Sequence, residues 1–205
     1  MIAGASAQEL LKRVVTHAAA EGITGRSLRE IAAGVGTSHR MLLYHFGSRE
    51  GLLAAVVGLI EQQQRDLLAE LADRVAASGT PAEGTKAGEL MLLLWARLSD
   101  PELRPYVRLF FEVVGVAVHD APGTGGFLAN LTGPWLDESE LAVRRLGLAV
   151  DRDALRLGVA TCRGLLLELL AGADPQETDA SYRLFVRMWE ARLAAGSFET
   201  FRDEG

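Results

Sequence analysis

Between Ser27 and Arg49 the chain gathers hydroxyl, imidazole, phenol and guanidinium groups: Ser27, Thr37, Ser38, His39, Arg40, Tyr44, His45 and Arg49. From Thr37 to Arg49 no carboxylate intervenes, so the stretch would not repel a polyanion. An arginine can bond a guanine edge with two parallel hydrogen bonds, while hydroxyls and imidazoles bond phosphates or base acceptors. Helix N-termini at Ser27 and Ser38 would add oriented amides for phosphate. The expected chemistry is contact with double-stranded DNA, with no bond made or broken. His39 and His45 have no Cys, Asp or Glu near them at ligand spacing, so no metal is expected.

Those groups need elements to present them. Leu10, Leu11, Val14, Val15 and Ala18 form the apolar stripe of a first helix that stops near Gly22. Ser27-Leu28-Arg29-Glu30 is a capping box opening a short helix, Leu28 to Ala33, that Gly34 and Gly36 end. A third helix runs from Thr37 or Ser38 to about His45. Two short helices joined by a glycine-containing turn and preceded by a stabilising helix have the arithmetic of a helix-turn-helix. Ile31 and Ala32 would pack against Leu42 and Phe46, turning Ser38, His39, Arg40, Tyr44 and His45 outward.

Charge is distributed to match. The 205 residues carry a net charge of −6, yet residues 1–49 hold six Lys/Arg against three acids. A basic end on an acidic body suits a protein that offers one face to a polyanion. Half the residues are apolar (49%), enough for a substantial core, and the single cysteine, Cys162, allows no internal disulfide. Met1 to Gln8 lacks the basic start of a secretory signal, and Ala121 to Leu136 is too short and too rich in glycine and proline to cross a membrane. A cytoplasmic protein with no membrane association is expected. Intact phosphate-loop, nucleophile-elbow, zinc-protease and dinucleotide signatures are absent, so neither an enzyme nor a cofactor is expected.

From Arg49 a single helical pattern continues to about Ala77, about 45 Å at helical rise and long enough to bridge two domains. Further helical segments follow at about 83–98, 102–119, 125–147 with an interruption at Gly133-Pro134, 152–171 and 177–195. No stretch alternates with period two for long enough to make a strand. The expected fold is all-α.

Ser27-Leu28-Arg29-Glu30-Ile31-Ala32, Gly36-Thr37-Ser38, Leu42-Leu43-Tyr44-His45-Phe46 and Ser48-Arg49-Glu50-Gly51-Leu52-Leu53 together resemble the DNA-binding domain of TetR-type transcriptional regulators, over about residues 7–65. Three positions depart from the family pattern. Leu43 stands where the family has a tyrosine that commonly contacts phosphate, with Tyr44 and His45 beside it; Arg49 replaces the usual lysine at the start of helix four; Thr37 replaces the valine of the turn. His39-Arg40-Met41 occupies the variable positions that set base preference.

The resemblance implies an N-terminal three-helix DNA-binding domain, residues 1–48 running into helix 49–77, and a C-terminal helical ligand-binding and dimerisation domain, residues 49–205. It implies a homodimeric regulator, more often repressor than activator, on a near-palindromic operator. The last two long helices would form the dimer interface, through Leu155, Val159, Cys162 and Leu166 on one and Tyr182, Phe185, Val186, Trp189 and Leu193 on the other. A small apolar ligand would meet Met91, Leu94, Trp95, Tyr106, Phe110, Phe111, Val114, Phe127 and Trp135, with Arg97, Arg108 and His119 as polar handles. The alternative is a helical small-molecule-binding module without sequence-specific DNA binding.

Overall fold

A computed structural model describes residues 2–79, 84–119, 128 and 131–194. Among them are nine α-helices, one 3-10 turn at Pro101–Leu103 and no strand. The helices are α1 (Ile2–Glu21), α2 (Leu28–Gly34), α3 (His39–Phe46), α4 (Arg49–Ala77), α5 (Lys86–Leu98), α6 (Arg104–Val118), α7 (Gly133–Arg145), α8 (Arg152–Leu170) and α9 (Pro175–Ala194).

Side-chain caps set most of the starts. Ser27 accepts the Glu30 amide while Glu30 accepts the Ser27 amide, so the capping box is complete at α2. Ser38 accepts the Met41 amide at the start of α3, Ser48 the Gly51 amide at α4, Thr85 the Gly88 amide at α5, and Asp151 two amides at α8. Pro134 stands in the first turn of α7, where its missing N–H costs nothing, so the expected break at Gly133-Pro134 is the start of that helix. Two glycines are required by geometry. Gly36, in the turn between α2 and α3, has φ +67°, and a Cβ on Gly51 would lie 2.1 Å from the Phe46 carbonyl oxygen.

One apolar cluster unites the first four helices: Val14 and Ala18 of α1, Ile31 and Ala32 of α2, Leu42 of α3, and Leu52, Leu53 and Val56 of α4, with Phe46 partly buried against it. The same cluster continues into Leu109, Phe110 and Val113 of α6. Packing therefore runs straight through position 48, and the three-helix head rests on α4 and α6 together. Further along α4, Leu68, Leu71, Ala72 and Val75 join Leu90, Trp135 and Ala142 in a second cluster. A third holds Trp95, Val107, Cys162, Leu166, Tyr182 and Val186. Burial pushes the Cys162 thiol up to about 12, which keeps it protonated and unreactive.

The stripe assigned to a dimer interface from sequence faces inward. Cys162, Leu166, Tyr182 and Val186 are buried, Phe185 packs partly buried beside them, and Leu155, Val159 and Trp189 line an apolar cavity of about 80 Å³. The Leu193 side chain lies outside the described residues. These large side chains fill the space between α8, α9 and the helices beneath, as bulky apolar groups at helical spacing usually do. On the opposite faces Leu157 and Leu167 of α8 and Leu184 and Met188 of α9 stay exposed. Their burial within a single chain leaves these side chains little surface to offer a second copy.

Candidate functional site

The candidate recognition face is on α3. Leu42 is fully buried and anchors the helix, while Arg40, Met41, Leu43 and Tyr44 are exposed, Tyr44 to 73%. Ser38 is exposed at the N-cap, and Thr37 and His39 are half-buried. His45 does not share the outward face expected of it: its Nε2 is buried without a hydrogen-bond partner, and its ring packs edge-on to Tyr44 with centroids 5.0 Å apart. Ser27 is exposed, but its amide is already bonded to the Glu30 carboxylate at 2.7 Å, so it has no free amide to offer a phosphate. Bonds from the Ser27 amide and hydroxyl hold the Glu30 carboxyl below its ordinary value.

Arg49 also makes contacts within the chain. Its Nε donates to the Arg26 carbonyl at 3.0 Å and one terminal nitrogen to the Ile23 carbonyl at 3.3 Å, fastening the start of α4 to the turn before α2. The same turn is gripped from the body. Glu112 of α6 accepts the Ile23 amide at 3.0 Å and also the Thr24 amide, and Arg108, one turn earlier, donates to the Ala19 carbonyl at 3.1 Å. Burial would raise the Glu112 carboxyl, but bonds from Thr24 and Ile23, with Arg108 nearby, bring it below its ordinary value.

Next to this clamp lies a cavity of about 40 Å³, lined by Val107, Phe110 and Phe111 of α6, Glu61 and Gln64 of α4, Trp135 of α7 and Val159, Cys162 and Arg163 of α8, among others. Glu61 is only 5% exposed. Its Oε1 accepts from Arg163 at 2.8 Å and from the Trp135 indole at 3.2 Å, and an Arg65 nitrogen stands 3.7 Å from Oε2. Burial raises the Glu61 carboxyl by more than Arg163, Trp135 and Arg65 lower it. Arg163 also donates to the Leu131 carbonyl at 2.9 Å, and its guanidinium lies 5.3 Å over the Phe110 ring. Val159 is a wall of both this cavity and the apolar one of about 80 Å³.

Residues 15–56 match the family model described as bacterial regulatory proteins, tetR family. Over those residues the chain is similar to the N-terminal domain of TetR-family regulators. No curated protein matches it in sequence. The fold as a whole is similar to solved structures. A putative TetR-family regulator from Rhodococcus sp. is 20% identical, with 88% of this chain and 96% of that one covered and a TM-score of 0.67. The multidrug binding protein EbrR, complexed with imidazole, is 17% identical over 89% and 88%, with a TM-score of 0.66. SmeT, the repressor of the Stenotrophomonas maltophilia multidrug efflux pump SmeDEF, is 18% identical over 91% and 89%, with a TM-score of 0.58.

Within the helical body, the residues named from sequence for a ligand pocket disperse. Phe110, Phe111 and Trp135 share the cavity with Glu61, while Met91 lines the neighbouring apolar one. Trp95 is core: it stacks on Tyr182 at 4.5 Å and bonds Asp179 at 3.1 Å. Leu94 packs between the body clusters and Val114 against the head cluster. Tyr106 and Arg97 line an outer groove, and His119 an open cleft beside Thr24 and Glu112. Arg108 belongs to the head clamp, and Phe127 lies outside the described residues. Glu61 and Arg163 went unnoticed in the sequence. Each had left a signal, since Glu61 sits four residues after Val57, and Arg163 four after Val159, on otherwise apolar stripes.

Proposed function

We propose that the protein is a ligand-responsive repressor that binds a near-palindromic operator as a homodimer. The observation that carries this reading is α3, a helix anchored by buried Leu42 that exposes Arg40 and Tyr44 with no carboxylate of its own. Such a helix suits the major groove. Arg40 is the candidate base contact, and Ser38, His39 and Tyr44 are candidates for phosphate. Thr37, in the turn before α3, and Ser27, at the N-cap of α2, are further candidates for phosphate. Exposed Met41 and Leu43 supply apolar surface of the kind that meets thymine methyl groups. Arg49 supports the face by holding the turn before α2 in place.

Two-fold symmetry of the operator would mirror two-fold symmetry of the protein. Exposed Leu157, Leu167, Leu184 and Met188 on α8 and α9 support a helical interface with a second copy. A charge at its centre, as in Leu184→Glu, should convert a dimer to a monomer in sedimentation equilibrium without unfolding it.

Coupling runs through α6 as well as α4. One side of α6 lines the cavity with Val107, Phe110 and Phe111, and the adjacent side holds the head through Arg108 and Glu112. A cavity of about 40 Å³ is smaller than a typical effector, so an occupant must displace its walls. Movement of α6 would then carry the Ile23–Thr24 turn and alter the placement of α3. The ligand releases DNA only to the extent that it binds the displaced arrangement more tightly. Both EbrR and SmeT have also been solved with aromatic compounds, proflavin and triclosan, which supports a small aromatic effector as one class to try.

The test is a gel shift with DNA from upstream of the protein's own gene against scrambled DNA, at low and near-physiological salt. A sequence-specific shift that weakens steeply with salt is expected. Absence of binding to either DNA would overturn the reading in favour of a helical small-molecule-binding module.

A further inference from the structure

Resting on the ligand-responsive reading above, we propose that the cavity between α4, α6, α7 and α8 takes a small aromatic carboxylate, held by Arg163. Two guanidinium groups, Arg163 and Arg65, share the single Glu61 carboxylate there, and Glu61 and Arg163 are the charged residues of the cavity wall. The local charge is therefore one positive in excess. An entering carboxylate balances it, with Arg163 turning to the ligand while Arg65 and the Trp135 indole keep Glu61. An entering ammonium would leave three cations on one carboxylate. Low dielectric makes that difference large.

Three more observations agree. Arg163 is pre-positioned by the Leu131 carbonyl and by the Phe110 ring, so its planar fork sits at the cavity wall whether or not Glu61 remains bonded. Phe110, Phe111 and Trp135 provide aromatic faces for the rest of the molecule. An outer groove shares Gln64 with the cavity, and its lining includes Lys12 and Arg97 but no acid, although Arg97 faces Asp100 at 3.5 Å. The neighbouring groove and the cavity thus favour the same sign of charge. The raised Glu61 carboxyl adds tolerance, since burial already eases its protonation once Arg163 is drawn away.

The test titrates the full-length protein by calorimetry and tryptophan fluorescence with three probes on one skeleton: 3-phenylpropanoate, 3-phenylpropanamide and 3-phenylpropylammonium. The carboxylate should bind at least about tenfold tighter than the amide, and the ammonium weakest of all. Arg163→Met should erase the preference for carboxylate over amide. Because that change leaves Glu61 short of a partner, the charge-neutral pair Glu61→Gln with Arg163→Met is measured beside it; it too should show no preference for carboxylate over amide. Glu61→Gln alone, which frees Arg163, should tighten the carboxylate. Equal binding of all three probes, binding of none, or tightest binding of the ammonium with its loss in Glu61→Gln would overturn the assignment. Gel shifts with each probe separate the two readings. An ammonium that releases DNA sinks the carboxylate and spares the ligand-responsive regulator. A carboxylate that binds as expected but never alters DNA binding does the reverse.

Discussion

The outer face of α3 and the cavity behind α6 use the same chemical groups, guanidinium and aromatic rings, in opposite surroundings. Arg40 and Tyr44 stand in solvent, whereas Arg163 is locked between a carboxylate, a carbonyl and the Phe110 ring. Exposed groups cost the fold little and do their work only when a partner arrives. Buried charges hold each other in place and penalise any change that leaves one alone. Under the proposed function, the difference separates candidates for setting DNA affinity from candidates for setting stability and ligand preference.

The largest expected effect breaks the buried side of that contrast. Glu61→Ala leaves Arg163 with the Leu131 carbonyl and no carboxylate, and should cost about 3–5 kcal/mol in urea unfolding. Glu61→Gln combined with Arg163→Met should recover part of it, because the Arg163 charge goes with its carboxylate and Arg65 keeps its bond to the Gln62 side-chain carbonyl. Within α3 the contrast repeats at neighbouring positions. Leu42→Ala empties a fully buried site and should cost about 2–5 kcal/mol of stability, while Tyr44→Ala should leave the unfolding midpoint unchanged and weaken DNA binding.

Arg40→Ala sharpens the exposed side. It should lose about 1–3 kcal/mol of operator affinity and relax specificity at one base pair if it reads a base, or weaken all sequences alike if it holds phosphate. Quantitative gel shifts on a set of single-base operator variants distinguish the two.

The smallest effect concerns the joint between the regions. Glu112 has its folded carboxyl below the ordinary 4.5, so its ionisation stabilises the folded chain above that value, and the contribution is lost as pH falls through the lower folded value. Glu112→Gln should therefore lower stability near neutrality slightly and flatten the fall in urea midpoint between about pH 5 and about pH 3. An unchanged acid limb would mean that the Glu112 contact with Ile23 and Thr24 contributes nothing to holding the head.

The head was legible because its signals are local. Ser27 and Glu30 find each other three residues apart, Gly36 and Gly47 punctuate the turns, and Leu42 lies on a stripe with a helical period. Even there, tertiary contacts added what spacing did not show: His45 turns its Nε2 inward, and Arg49 gives two of its N–H donors to backbone carbonyls. In the body, the choice between core, cavity and interface could not be made from periodicity. Tyr182 and Leu184 both occupy positions an apolar stripe allows, yet one is 3% exposed and the other 51%.

The sequence by itself determined the helices, their caps and the charge-free-of-acid face of α3, because those depend on residues within a few positions of one another. Only the tertiary structure decided that Glu61 meets Arg163 across 102 positions, that Arg108 and Glu112 grip the head 89 residues away, and which faces of α8 and α9 remain open. An ion pair or an exposed stripe is a property of how helices are laid against each other. No spacing along one helix carries that information.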